Sequence, residues 1–256
     1  MKADALLQLR DLRCHFGGLR ALDGASFDIA PRRVTGLIGP NGAGKTTLFN
    51  CVSGLQPKTG GQVVFDGHDI SREAAHDISG LGLIRTFQLA RGCPRMTVFE
   101  HLMLYAPRQK GEGLFKGLVG SRDVREQEEE IADKAVGVAR RLKLAHVLNN
   151  LVTDLSGGQK KLLEIGRALM AQPRLLLLDE PMAGVNPTLV RQIADELARM
   201  RDEGIAILLI EHEMALIESL CDEVVVMAEG KFFCRGSFSE VVSNRRVQEA
   251  YLGVRA

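Results

Sequence analysis

"VTGLIGPNGAGKTTLFN", residues 34–50, is the stretch on which the fold turns. Val34 to Ile38 is a short apolar run of strand type, and a helix is expected from about Lys45 to Ser53. Between them stands GPNGAGKT, Gly39 to Thr46, with the spacing of a phosphate-binding loop. Each residue type in it has a task. Gly39, Gly42 and Gly44 let the backbone turn so that successive N–H groups face a β-phosphate. Lys45 adds a point charge toward the β- and γ-phosphates, and the Thr46 hydroxyl is a ligand for Mg2+. A strand, this loop and a helix in that order bind a nucleoside triphosphate.

A phosphate loop calls for a carboxylate at the end of a neighbouring buried strand. LLLLDE supplies it at Asp179, with Glu180 next to it. Successive residues of an extended chain point in different directions, so one acid can serve a magnesium shell while the other faces an attacking water. A surface acid at a strand exit is the plain reading of Glu180; beside a phosphate loop the general-base reading is preferred. Leu175 to Leu178 and Ile205 to Ile210 are continuous apolar runs, as expected of strands covered on both faces. Pro187 to Arg201 lies between them with helical periodicity, which makes a βαβ unit and a parallel sheet. His212 follows the second of these strands, where ligands gather in parallel sheets, although a single His also serves packing or capping.

The flanks read differently. Leu6 to Ile29 and Gln62 to Phe65 alternate as strands, with turn signals at Gly17-Gly18, Asp23-Gly24 and Asp66-Gly67, which predicts an antiparallel sheet beside the core. A strand at Val224 to Met227 and its hairpin partner at Lys231 to Arg235 follow a helix at about Glu213 to Leu220. Met96 to about Gln172 shows no strand pattern; helical segments surround a loose stretch, Pro107 to Gly120, as in a helical lobe inserted into an α/β core. The run RDVREQEEE, Arg122 to Glu130, is a solvated helix face.

Inside that lobe, LSGGQKKLLEIGRAL (Leu155 to Leu169) begins a helix with Ser-Gly-Gly. Ser156 can cap it, yet Gly157 and Gly158 also strip side chains from a helix start, leaving bare N–H groups and a positive dipole end open to an anion. An ordinary cap with a flexible turn and an anion site are both compatible with this stretch alone.

The bulk numbers narrow the setting. A chain of 256 residues holds one large domain or two small ones. The formal net charge of +1 does not indicate a general nucleic-acid surface. The longest apolar run of the C-terminal half, Ile205 to Ile210, is far short of the ~20 residues that span a bilayer. Charges interrupt MKADALLQLR before any signal-peptide core forms. Cys14, Cys51, Cys93, Cys221 and Cys234 show no CxxC pairing and read as free thiols of a reducing compartment. These features predict a cytoplasmic chain that reaches a membrane only through a partner.

Together the phosphate loop, LSGGQ at Leu155 to Gln159, LLLLDE, Gln88 in RTFQ and His212 in IEHEM resemble the ATP-binding subunits of ABC (ATP-binding cassette) transporters, over nearly the whole chain. The resemblance implies an α/β fold of P-loop NTPase type, a RecA-like parallel sheet with an antiparallel β subdomain and an inserted helical subdomain. It implies one domain over residues 1–256, with 1–88 and 173–256 as the nucleotide-binding core and 89–172 as the lobe. It also implies ATP and Mg2+ as ligands, held by Gly39, Pro40, Asn41, Gly42, Ala43, Gly44, Lys45, Thr46, Thr47 and Asp179. Phe16 would stack on the adenine, where the family more often has Tyr. Gln88 would touch magnesium and sense the γ-phosphate, and His212 would contact the γ-phosphate. Ser156, Gly157, Gly158 and Gln159 would grip the nucleotide of a second cassette, and AGVNP (Ala183 to Pro187) stands where a subunit-crossing loop is expected, in place of the commoner SALD form. The implied partners are that second cassette, membrane permease subunits and, indirectly, a substrate-binding protein, at the cytoplasmic face of the inner membrane.

HFGGLRALDGASFDI, RTFQ, MTVFEHL, EPMAGVNP, EHEM and RRVQEAYLG resemble the ATPases of branched-chain amino-acid importers. The lipopolysaccharide-export ATPases share much of this, and the YLG tail favours the importers. LARGCPR, Leu89 to Arg95, departs from the importer pattern, which has a Phe-Pro pair before MTV. Non-transport ABC ATPases usually carry two cassettes in one chain or a long coiled-coil insertion, and this chain has neither the length nor the heptads.

Overall fold

The computed structural model describes residues 5–86, 93–109 and 122–252. Strands β1 (Leu7–Phe16), β2 (Leu19–Ile29), β4 (Gly60–Phe65) and β5 (His68–Asp69) form an antiparallel sheet in the order β2-β1-β4-β5. Strands β3 (Val34–Ile38), β6 (Leu83–Arg85), β7 (Leu175–Asp179), β8 (Ala206–Ile210), β9 (Glu223–Ala228) and β10 (Lys231–Gly236) form a second sheet in the order β10-β9-β3-β8-β7-β6. All its neighbours pair in parallel except β9 with β10. This is the α/β architecture expected from the sequence.

Period-two alternation explains how the central sheet is covered. Every residue of β3 and β8 is buried. Leu37, Val225 and Met227 join Leu48 and Phe49 of helix α1 (Lys45–Val52) and Leu7, Leu9 and Phe65 of the antiparallel sheet in one core. Their neighbours Ile38, Val224 and Val226 face the other way, onto Ile217, Val241 and Val247. These last come from helices α7 (Met214–Leu220), α8 (Phe238–Ser243) and α9 (Arg245–Leu252). With β3 lying between β8 and β9, the carboxyl ends of β3, β8 and β7 are neighbours, the place where open parallel sheets bind ligands.

Asp23-Gly24 proves not to be a turn. Strand β2 runs through it, and the register with β1 shifts between Leu12 and Arg13, which pair with Ala25 and Asp23, so Gly24 serves a bulge in a long twisted hairpin. Asp66-Gly67 is a true two-residue turn, with Phe65 facing His68 and both turn residues at positive φ. Sequence reading missed the three-residue edge strand β6 and the two closing helices.

Grouped by their contacts, the residues form two compact units, one of Met1–Arg85, Arg174–Ala183 and Val190–Ala256, the other of Thr86–Pro173 and Gly184–Leu189. The second unit is built on helices α3 (Val98–Leu104), α4 (Arg122–Arg141) and α5 (Gly157–Met170). A Thr97–Glu100 capping box starts α3. Gly166 of α5 lets Leu102 and Leu142 approach to within 3.0 Å of where a Cβ would stand. From Arg122 to Glu130 only Val124 is buried, so that run is the solvated face expected.

Candidate functional site

The loop between β3 and α1 is shaped by close approach of rigid backbone. A Cβ on Gly39 would lie 2.1 Å from the Met227 carbonyl oxygen, and one on Gly44 would lie 2.4 Å from that of Ala21. Only glycine fits at either position. Gly44 stands at the N-cap of α1 with no side-chain cap, and the first turn holds no acid, so the positive helix end is left uncovered. Asn41, Gly42 and Thr46 are exposed, Pro40 and Thr47 half-buried and Ala43 buried. Lys45 is only 8% exposed, and its Nζ donates to the carbonyls of Gly39 at 2.7 Å and Pro40 at 3.2 Å. Burial pushes the Lys45 ammonium below its ordinary value, and the nearby Glu180 and Asp179 carboxylates oppose that push. Phe16 ends β1 opposite Leu19, 47% exposed, and Ala21 two residues beyond Leu19 is the residue that abuts Gly44. The hairpin tip therefore stands beside the loop.

Asp179 ends β7. The Thr46 hydroxyl donates to its carboxylate, and the Arg85 guanidinium lies 3.3 Å away. Burial nonetheless raises the Asp179 carboxyl above its usual range, with Arg85 opposing and Glu180 adding to the rise. Arg85 also donates to Asn50 Oδ1 of α1 and covers the Phe49 ring at 5.6 Å. Sequence reading missed Arg85 and Asn50; the available signal was a lone cation closing the apolar stretch LGLIR.

Glu180 and His212 meet. Their side chains, 44% and 51% exposed, place His212 Nε2 2.7 Å from Glu180 Oε1. Glu180 adopts a left-handed backbone (φ 49°), which turns the chain as it leaves the sheet. Its N–H donates to Ile210 at 2.9 Å, and the Ala183 N–H returns to its carbonyl at 3.2 Å. Glu211, also missed, is 6% exposed, and its two oxygens accept from the Met182 N–H at 3.0 Å and the His212 N–H at 3.3 Å. Burial raises the Glu211 carboxyl, these two N–H groups lower it, and Glu180 raises it again.

In the second unit, Ser156 caps α5. Its hydroxyl accepts from the Gln159 N–H at 3.3 Å while Gln159 Oε1 accepts from the Ser156 N–H at 2.9 Å. The two glycines differ. A Cβ on Gly158 would meet Leu189 Cδ2 at 2.6 Å, but one on Gly157 would meet nothing within 4 Å. Nothing in the described structure requires glycine at 157. Asn186 of AGVNP accepts from the Leu189 N–H at 2.9 Å at the start of helix α6 (Pro187–Asp202). Gln88 lies outside the described residues, as do Leu89 to Gly92 of LARGCPR and most of the stretch expected to be loose.

Comparison with known proteins gives consistent matches. Residues 22–183 match the family described as ABC transporter. The probable branched-chain amino acid transport ATP-binding protein LivG of Archaeoglobus fulgidus is 40% identical over 248 residues, which cover 97% of this chain and 95% of that protein. The high-affinity branched-chain amino acid transport ATP-binding protein LivG of Escherichia coli is 36% identical over 249 residues, 97% and 98% of the two chains. Among solved structures, the ADP conformation of an ATP-binding cassette of an ABC transporter superimposes with a TM-score of 0.83 at 34% identity, covering 97% of this chain and 99% of that one.

Proposed function

This chain belongs to the ABC transporter family as an ATP-binding cassette, an ATPase, and from that premise we propose that it drives the import of branched-chain, hydrophobic amino acids through membrane permease subunits. The similarity to LivG proteins, spread over 97% of the chain, carries the cargo reading and favours it over lipopolysaccharide export or a non-transport ATPase. Among the described residues no helix is long and apolar enough to cross a membrane. On this reading the chain is attached through the permeases, at the cytoplasmic face.

The site chemistry follows from the chain's own groups. The loop from Gly39 to Thr47 and the Lys45 ammonium receive the triphosphate, with the adenine on the exposed face of Phe16. Thr46 and Asp179 fit Mg2+: they are paired hard-oxygen groups, and no cluster of three or more metal-binding side chains occurs among the described residues, so the ion would be shared with the phosphates. Bound magnesium neutralises charge on the phosphate oxygens. Glu180 accepts the proton of the attacking water, and His212 orients Glu180 and reaches the γ-phosphate. Gln88 completes the ligand set. Ser156, Gly157, Gly158 and Gln159 close on the nucleotide of a second cassette, a copy or a paralogue; the free space at Gly157 supports this reading. A helix start placed there excludes water and strengthens each electrostatic contact.

Uptake of leucine, isoleucine and valine in a strain lacking this chain tests the proposal. Wild type should restore uptake and Glu180→Gln should not, while permease subunits should copurify with both. Normal uptake without the chain would overturn the cargo reading.

A further inference from the structure

We propose that Glu211 is a positioning residue that sets the Glu180–His212 pair by receiving one backbone N–H from each of the two segments that carry them. The proposal rests on the reading of Glu180 and His212 as the reacting pair. Glu211 is the first residue beyond β8, and its carboxylate is buried against the turn that leaves β7. One oxygen takes the Met182 N–H, two residues past Glu180, and the other takes the N–H of His212. On the near side of Glu180, its own N–H donates to Ile210 as a continuation of the sheet ladder. The ladder ends there, because Glu180 turns left-handed and carries the chain away. Glu211 supplies the tie that the ladder no longer makes, so Glu180 is held on both sides within four residues of chain.

The residue type fits this task and little else. A carboxylate offers two acceptor atoms and no donor when ionised, so it can serve two N–H groups at once. Gln offers one acceptor and sets an NH2 against an N–H. Ser, Thr and Asn offer one acceptor each, on shorter arms. Burying an acid beside Glu180 is costly in itself, which is why a passive filler here would be apolar. A misplacement of about 1 Å at reacting groups costs on the order of 100-fold in rate, so a tie of this kind has leverage on turnover.

The test is a set of variants of the full chain: Glu180→Gln, His212→Ala, Glu211→Gln, Glu211→Asp, and Glu211→Gln combined with His212→Ala. ATP turnover, ATP affinity by calorimetry and thermal unfolding are measured on each. Glu211→Gln should lower kcat about 10-fold or more with ATP affinity kept within about twofold. In the His212→Ala background the same change should cost less than about threefold further, because residues that act as a unit are not additive. Glu211→Asp, which keeps two acceptors on a shorter arm, should fall between Gln and wild type, and it carries the test should the Gln variant unfold. The proposal fails if kcat of Glu211→Gln stays within twofold of wild type. It fails equally if the loss multiplies undiminished in the His212→Ala background, or if affinity and kcat fall together in both Glu211 variants. Near-normal turnover of Glu180→Gln and His212→Ala would instead sink the underlying assignment of the pair.

Discussion

His212 Nε2 lies 2.7 Å from Glu180 Oε1, which joins the residue leaving β7 to one leaving β8. Parallel pairing makes this meeting possible: Asp179 is registered on Ile210, so residues just beyond each strand emerge side by side. An ionised carboxylate only accepts, so the shared proton then lies on the imidazole nitrogen and the second carboxylate oxygen is left for a water. The geometry separates orienting from proton acceptance. His212→Ala should lower turnover by about 100-fold or more while ATP still binds, since general-base assistance contributes ~100- to 10,000-fold. His212→Gln, whose amide can still donate to Glu180, should lose less. Equal losses in the two variants, read by steady-state ATPase assay, would show that the hydrogen bond to Glu180 is not what His212 contributes.

Arg85 holds Asp179 at 3.3 Å with its own side chain 9% exposed, so removing the cation strands a partly buried acid. Arg85→Met should destabilise the fold by roughly 1–3 kcal/mol, less than for a fully buried pair because Asp179 remains 22% exposed. The sign with pH follows from what is lost. Arg85 lowers the Asp179 carboxyl, whereas burial and Glu180 raise it, so the variant's folded pKa moves further above the unfolded value. A raised carboxyl binds its proton more tightly when folded, and stability then declines as pH rises through the carboxylate range. The deficit relative to wild type should be largest near neutral pH and shrink in acid. Thermal unfolding across pH 3–8 measures it; a deficit constant with pH would mean that Arg85 acts by packing on Phe49 rather than through its charge.

Gly157 and Gly158 should answer differently to the same change. At 157 a Cβ meets open space, so Gly157→Ala should leave thermal stability within about 0.5 kcal/mol of wild type. At 158 the new methyl meets Leu189 Cδ2 at 2.6 Å, and Leu189→Ala should relieve the cost. If the facing-cassette proposal holds, a bulky residue at 157 should keep ATP affinity and stop hydrolysis, because it would fill the space that a second cassette's nucleotide needs. If affinity for ATP itself collapsed, Gly157 would be serving its own fold or nucleotide, and the facing-cassette reading would fail.

What could be read in advance divides along physical lines. The phosphate loop, β7, β8 and the helix between them were legible because their signals are local: fixed glycine spacing, unbroken apolar runs, one helical period. Asp23-Gly24 misled for the same reason, since a bulge and a turn use the same dipeptide and only pairing with β1 tells them apart. Edge strand β6 is three residues long, too short for any period to register. Arg85, Asn50 and Glu211 were invisible as a group because their partners are distant in sequence: Arg85 is 94 residues from Asp179, and Glu211 is 29 from Met182. Charge burial, which gives such residues their meaning, is a property of the assembled sheet.

Gly42 and Gly44 both have positive φ, 82° and 93°, yet their surroundings differ. An alanine at 42 has no atom within 4 Å of its Cβ, so Gly42→Ala should cost only the left-handed strain of about 1–2 kcal/mol. At 44 the methyl would come within 2.4 Å of the Ala21 carbonyl oxygen, backbone that no rotamer change can move aside, and within 3.0 Å of Leu22 Cδ2. Gly44→Ala therefore displaces the β1–β2 hairpin from the loop or shifts the start of α1. Its stability loss should exceed that of Gly42→Ala by at least about 1–3 kcal/mol, the range for overpacking against unyielding neighbours. Because the hairpin also carries Phe16, the proposed platform for the adenine, Gly44→Ala should on that proposal weaken binding of ATP more than binding of inorganic triphosphate, which has no adenine to stack. Calorimetry with both ligands, beside thermal unfolding, separates the two effects. Equal losses for the two ligands would mean that the alanine damages the phosphate cradle alone and leaves the hairpin in place.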